Sequence, residues 1–182
     1  MTIKAVEEAI HYVRGWMEDD DGFWTYLDSN EMSTRYVLID PILHALGWDT
    51  GDLYQCVVEH GKPSRADYVL FDANDNRDDN PVVIIESKNT GYRALNRLKS
   101  NPQDLELQLA KYTDGSTAKV GVLTNGLIWR LYDLDNSRRN LANQIVEPVI
   151  NVYQDNAKIS NRYIHVAAQT LHKYLGAHRF GW

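Results

Sequence analysis

The chain reads as an α/β domain, a mixed central β-sheet flanked by helices. Three observations predict it. The order of segments is two helices, three strands, a helix, two strands and a helix, and a helix between strands suits a crossover joining parallel neighbours. The run Pro81-Val82-Val83-Ile84-Ile85 is apolar at consecutive positions, so both faces of that strand are covered. The first segment repeats apolar residues at the helical period, as a helix laying one face on a core must.

The elements follow in order. Ile3, Val6, Ile10, Val13 and Met17 recur at spacings of three and four and predict an amphipathic helix over residues 3–18. Residues 22–30 read as a loop. A second helix is expected from Glu31 to Leu46, with Tyr36, Leu38, Ile39, Ile42, Leu43 and Leu46 as its apolar face. Pro41 kinks or splits it, and Gly47 stops it. Leu53 to Glu59 reads as a strand and 61–64 as a turn. Residues 66–72 and 81–87 form two strands of a hairpin around an Asn/Asp-rich connection. A helix follows over 103–113, with Leu105, Leu109 and Tyr112 in one stripe. Val120–Thr124 and Leu127–Tyr132 are strands around Asn125-Gly126, a strong hairpin signal, so Thr124 and Asn125 read as turn residues. The last helix covers Arg162 to Leu175, and the aromatic-rich end from Tyr174 to Trp182 is expected to pack on the core or on a second copy.

The chain has 182 residues, 43% of them hydrophobic and 24% charged, which fits one domain over residues 1–182. No run reaches the roughly 18 apolar residues of a membrane helix, and the N-terminus lacks the form of a secretory signal. Cys56 is the only cysteine, so no intrachain disulfide forms and a reducing cytoplasm is expected. The net charge of −6 argues against a dedicated nucleic-acid coat. It does not exclude a nuclease, because eight of the 25 acids lie in Glu18–Asp21 and Asp72–Asp79, which read as solvated turns. The six histidines show no zinc spacing, and His165 and His172 read as helix surface.

Chemistry concentrates in Glu86-Ser87-Lys88. Glu86 and Lys88 are two residues apart at the end of a buried strand and project from one face. A buried acid and base need a reason, because burial without compensation is costly. Asp67 opens the neighbouring strand. Mg²⁺ prefers one or two carboxylates and keeps several waters, and Asp67 and Glu86 supply that number. The carbonyl of Ser87 lies between the site side chains as a further ligand. Lys88 is placed to orient an attacking water or to stabilise developing charge. This layout suits phosphodiester cleavage.

Pro63-Ser64-Arg65-Ala66-Asp67 and Glu86-Ser87-Lys88 resemble the signature of the PD-(D/E)XK nuclease superfamily, although the proline stands four residues before the aspartate instead of adjacent to it. More of the chain resembles one branch, the N-terminal nuclease domain of type I restriction enzyme R subunits. Glu31-Met32-Ser33-Thr34-Arg35, Ile39-Asp40-Pro41-Ile42-Leu43 and Leu46-Gly47-Trp48 are similar to its opening helix. Val58-Glu59 precedes the aspartate strand as it does there. Gln108-Leu109-Ala110-Lys111-Tyr112 resembles its QxxxY motif, and Val122–Gly126 with Trp129 and Tyr132 its closing strands. The resemblance spans roughly residues 31–132.

It implies a restriction-endonuclease-like core, Mg²⁺ (with Mn²⁺ able to substitute) on Asp67 and Glu86, and a catalytic Lys88. Glu31 becomes an accessory acid reaching the metal through water; its alternative is an N-terminal acid beside the capping Asn30. Gln108 and Tyr112 share a helical face and are implied to position DNA or order the site, against plain helix packing. Arg35, Arg65, Arg93, Arg97 and Lys99 are the phosphate-contact candidates. Lys88–Lys99 carries four basic residues and no acid, which equally suits a solvated face. No GxxxxGK[ST] loop and no target-recognition module is present, so the chain is expected to be a freestanding relative or a fragment, with DNA, restriction-system subunits or a second copy as partners. Its expected activity is metal-dependent endonuclease action of low intrinsic specificity. The alternatives are a catalytically weak nucleic-acid-binding or assembly module, and an enzyme acting on RNA or nucleotides.

Overall fold

A computed structural model of the chain describes residues 2–18, 22–60, 65–73, 80–92, 95, 103–134, 141, 144–146, 148–153 and 160–182. The helices are α1 (Ile3–Glu18), α2 (Phe23–Leu27), α3 (Glu31–Thr34), α4 (Asp40–Ala45), α5 (Gln103–Thr113) and α6 (Asn161–Leu175). The strands are β1 (Cys56–His60), β2 (Ala66–Phe71), β3 (Pro81–Ser87), β4 (Val120–Thr124), β5 (Ile128–Asp133) and β6 (Ile150–Asn151). They form one sheet in the order β1-β2-β3-β4-β5-β6. Neighbours are antiparallel except β3 and β4, which are parallel and joined through α5. The mixed sheet, the crossover helix and both hairpins thus stand as the sequence predicts.

The sheet buries both faces. Leu70, Val83, Ile85, Val122 and Leu131 pack beneath α1, α4 and α6, where Val6, Ile10, Val13, Ile42, Leu43, Ile164 and Leu171 complete the larger core. Val69, Ile84 and Leu123 face Leu105 and Leu109 of α5 in a second core. Each such aliphatic contributes about 1.5–3 kcal/mol by leaving water. The C-terminal aromatics pack on this core. Phe180 is buried beside Trp48, and the Trp182 indole N–H donates to the Phe71 carbonyl at 2.8 Å.

Several expectations are corrected. Residues 22–30 are not all loop. Gly22 starts α2 from the left-handed region, and its carbonyl accepts from both the backbone N–H and the hydroxyl of Thr25. The strand predicted from Leu53 begins at Cys56, because Asp52 draws the Tyr54 N–H into a turn. The short edge strand β6 and a 3₁₀ turn over Ala177–Phe180 carry too few residues for a periodic signal. The long second helix is interrupted by a π turn, Arg35–Ile39, between α3 and α4. Pro41 has no N–H to donate to Val37, and the Asp40 N–H reaches back five residues to the Arg35 carbonyl. Tyr36 is exposed; the buried stripe runs through Arg35 instead. Gly47 ends the stretch as expected, at φ 89°, with the Trp48 N–H on the Leu43 carbonyl. The 61–64 turn and the 74–79 connection lie outside the described residues. Among the described residues no helix is long and apolar enough to cross a membrane.

Candidate active site

β2 and β3 position the acids. Their ladder pairs Tyr68 with Ile85, so one step further Asp67 falls opposite Glu86 and both project from the face that holds Val69 and Ile84. Both are buried, Asp67 at 7% exposed and Glu86 at 2%. Asp67 Oδ2 accepts from the Ser87 backbone N–H at 2.6 Å and the Ser87 hydroxyl at 2.8 Å. Asp67 Oδ1 accepts from Arg35 Nη2, and Arg35 Nε donates to Ser87 Oγ at 3.2 Å. These bonds close a ring through Arg35, Asp67 and Ser87.

Lys88 follows on the same strand end. Its Nζ lies 2.5 Å from Glu86 Oε1 and donates to the Ser87 carbonyl at 2.8 Å. Glu86 Oε2 is buried with no hydrogen-bond partner. A buried carboxylate oxygen left bare costs about 1–3 kcal/mol or more, so this atom is open to a further partner. Burial pushes the Glu86 carboxyl above its ordinary range and nearby Glu31 adds to this, while Lys88 and Arg35 pull it back. Glu31 sits at the start of α3 behind the Asn30 cap, which accepts from the Ser33 N–H at 2.9 Å. Its carboxylate lies 3.6 Å from Arg35 and 3.9 Å from Lys88. Ion pairs therefore link Asp67, Arg35, Glu31, Lys88 and Glu86 into one network.

The donor set fits a divalent cation. Glu86 Oε2 is free, and Asp67 Oδ1 keeps one lone pair beside Arg35. The Ser87 carbonyl, expected as a ligand, has one lone pair committed to Lys88. Among the described residues no three acid, His or Cys side chains stand together as a ready-made metal cluster, because Arg35 and Lys88 are interleaved with the acids.

Arg35, placed among the phosphate contacts by the sequence, has its guanidinium buried on Asp67 and Ser87, 5.8 Å above the Tyr68 ring. Breaking such a buried pair costs about 3–5 kcal/mol. Arg65 is exposed and lies 3.7 Å from Glu59. Arg93, Arg97 and Lys99 lie outside the described residues. Gln108 Nε2 donates to Tyr112 Oη at 2.8 Å on α5. With Asp104, Leu107 and Lys111 they line a pocket of about 380 Å³, and neither bonds directly to Asp67, Glu86 or Lys88. Thr124 and Asn125 are turn residues. The Thr124 hydroxyl donates to the Ile128 carbonyl, and Asn125 Oδ1 accepts from the Leu127 and Ile128 N–H groups. His165 is on the helix surface beside Glu7, and His172 stacks on His178.

Two residues have roles in this network that the sequence reading does not give them: Arg35, expected on phosphate, and Glu59. Arg35 as the partner of Asp67 was signalled by its i,i+4 spacing from Glu31, which puts both on one helical face. Glu59, 3.7 Å from Arg35, has a left-handed backbone at φ 53°, unusual for a residue with a Cβ, and no local sequence signal marks it.

Residues 53–140 match the family model of the type I restriction enzyme R protein N terminus. No curated protein matches the chain. Among solved structures, the fold is similar to the crystal structure of the type IIG restriction endonuclease BpuSI, with a TM-score of 0.56 and 18% identity. That match covers 82% of this chain and 17% of the BpuSI chain. The chain therefore has the α/β fold of that restriction endonuclease's matching region, and over residues 53–140, just under half of its length, it is similar to the N terminus of type I restriction enzyme R proteins.

Proposed function

We propose that this domain is a metal-dependent DNA endonuclease of low intrinsic sequence specificity, working in the cytoplasm alone or beside restriction-system subunits. The observation that carries the reading is the bare, buried Oε2 of Glu86, held next to Lys88 and opposite Asp67. Glu86 and Asp67 would hold Mg²⁺ or Mn²⁺, which supplies Lewis-acid stabilisation of phosphate charge and activates the attacking water. Lys88 offers its ammonium to the phosphate on the same face. Ser87 fixes Asp67 through two hydrogen bonds, so the carboxylate does not rotate away. Glu31 balances Lys88 from the helix side. Exposed Arg65, with Arg93, Arg97 and Lys99, is the candidate surface for phosphates, needed because the net charge of −6 gives no long-range attraction.

The test is incubation of the purified chain with supercoiled plasmid, linear DNA, single-stranded DNA and RNA, with Mg²⁺, Mn²⁺ or chelator. Cleavage of DNA with metal, lost in Asp67→Asn, Glu86→Gln and Lys88→Met, is expected. Asp67→Asn and Glu86→Gln should also lower metal affinity in calorimetry, while Lys88→Met should keep it, since a protonated lysine has no lone pair for a metal. A second reading, a nucleic-acid-binding or assembly module, draws on the engagement of both Asp67 oxygens by Arg35 and Ser87. DNA binding without cleavage under every metal condition would select it.

A further inference from the structure

The acids of the site outnumber the cations interleaved with them, and the arrangement of the cations is specific. Arg35 touches Asp67 and stands 3.6 Å from Glu31 and 3.7 Å from Glu59. Lys88 touches Glu86 and stands 3.9 Å from Glu31. Four carboxylates, Asp67, Glu86, Glu31 and Glu59, stand against three cations, Arg35, Lys88 and Arg65, so the cluster stays net negative. Arg35 is held from three sides. Its Nη2 is on Asp67, its Nε on Ser87 Oγ, and its plane lies over Tyr68, whose hydroxyl donates to Asp40 at 2.8 Å. Its Nη1 is buried without a hydrogen-bond partner, so hydrogen-bond satisfaction alone does not explain its burial. A guanidinium cannot be deprotonated, so this positive charge is permanent.

Lone-pair counting gives the consequence. Oδ2 of Asp67 is filled by two bonds from Ser87, and one lone pair of Oδ1 is filled by Arg35, which leaves a single donor position on Asp67. A carboxylate with one open position cannot bridge two metal ions. From this geometry we infer that Arg35 is a positioning residue for Asp67 and takes the place of a second metal ion, so that the site binds one divalent cation.

The inference rests on the metal-dependent reading above, and its test separates the two. Mn²⁺ binding to the full chain is counted by the electron paramagnetic resonance signal of the free ion, without DNA. The wild type should bind one Mn²⁺ per chain, and Asp67→Asn should lose it. Arg35→Met, which removes the charge and opens the lone pair, should bind two. Arg35→Lys, which keeps the charge, should stay at one, although its melting temperature falls because one ammonium cannot reach both Asp67 and Ser87. Thermal scans with and without Mn²⁺ should show a larger metal-induced rise in Arg35→Met than in the wild type. Two ions in the wild type, or one ion with wild-type affinity in folded Arg35→Met, overturns the role of Arg35 and leaves the metal reading standing. No bound Mn²⁺ in the wild type overturns both. If Arg35→Met does not fold, the wild-type and Arg35→Lys counts decide, and two ions in either overturns the inference.

Discussion

Gly126→Ala tests how the helix that carries Arg35 is seated against the sheet. Gly126 has φ +80° in the turn between β4 and β5, and a Cβ built there lies 2.3 Å from Leu38 Cβ, over 1 Å short of the 3.4 Å at which ordinary contact begins. Leu38 is three residues beyond Arg35 in the π turn, so the hairpin and the helix touch through this glycine. Two costs arise. A left-handed alanine costs about 1–2 kcal/mol, and overpacking a core adds about 1–3 kcal/mol. Gly115→Ala separates them, because Gly115 has φ +71° with nothing within 4 Å of its built Cβ. Equilibrium urea unfolding, followed by the fluorescence of buried Trp48 and Trp129, should give about 1–2 kcal/mol for Gly115→Ala and about 2–5 kcal/mol for Gly126→Ala. At about 2–4 °C per kcal/mol in a chain of this size, the second melts roughly 10 °C lower. Because the relief is a shift of the Leu38 backbone, Gly126→Ala should also weaken Mn²⁺ binding at Asp67, which Gly115→Ala leaves alone. Equal destabilisation by the two substitutions would refute the close approach of turn and helix.

Other outcomes follow from the same geometry. Glu86 carries a carboxyl raised above its ordinary 4.5 by burial, so the folded chain binds its proton more readily than the unfolded one, and metal-free stability falls as pH climbs from about 4.5 through the raised value. In chelator, Glu86→Gln should flatten that fall; an unchanged pH–stability curve would refute it. Gln108→Ala and Tyr112→Phe should slow DNA cleavage while stability changes by no more than about 0.5 kcal/mol, since Leu105 and Leu109 are the buried apolar residues of α5 and Tyr112→Phe keeps the ring that packs beside them; a large melting shift with unchanged activity would assign them to packing. The Cys56 thiol is buried and pushed up to about 12, so native protein should resist iodoacetamide at about pH 8 and react on unfolding; rapid labelling of the native chain would contradict its placement.

The fold was legible wherever a periodic pattern had length. Ile3–Glu18 and Asn161–Leu175 each run four turns with one apolar stripe, and Asn125-Gly126 closes its hairpin by local chemistry alone. The parallel pairing of β3 with β4 followed from a helix between them. What escaped was short or held by distant partners. β6 is two residues long and leans on Ile128 and Trp129, and α2 owes its start to one glycine carbonyl. Tyr36 has the apolar character of the helix's buried stripe yet is exposed, and its neighbour Arg35 is buried in its place.

The exchange of Tyr36 for Arg35 marks where hydropathy patterns stop. An arginine is expected in water unless a partner satisfies it, and the partner of Arg35 is 32 residues away, on strand β2. Hydropathy scores each residue against solvent, so it cannot foresee that Asp67 makes Arg35 an interior residue. The acids and the lysine were legible because an ionisable pair ending an apolar strand is costly without a purpose, and cost shows locally. Compensation for that cost does not show locally. The same contact would carry both consequences under the proposal above: Arg35 holds Asp67 in place, and it would fill a position on Asp67 that a second cation needs. If stability and metal stoichiometry are coupled through this one side chain, the charge-keeping Arg35→Lys should separate them, lowering the melting temperature while the count stays at one Mn²⁺ per chain; two ions in Arg35→Lys would refute the coupling.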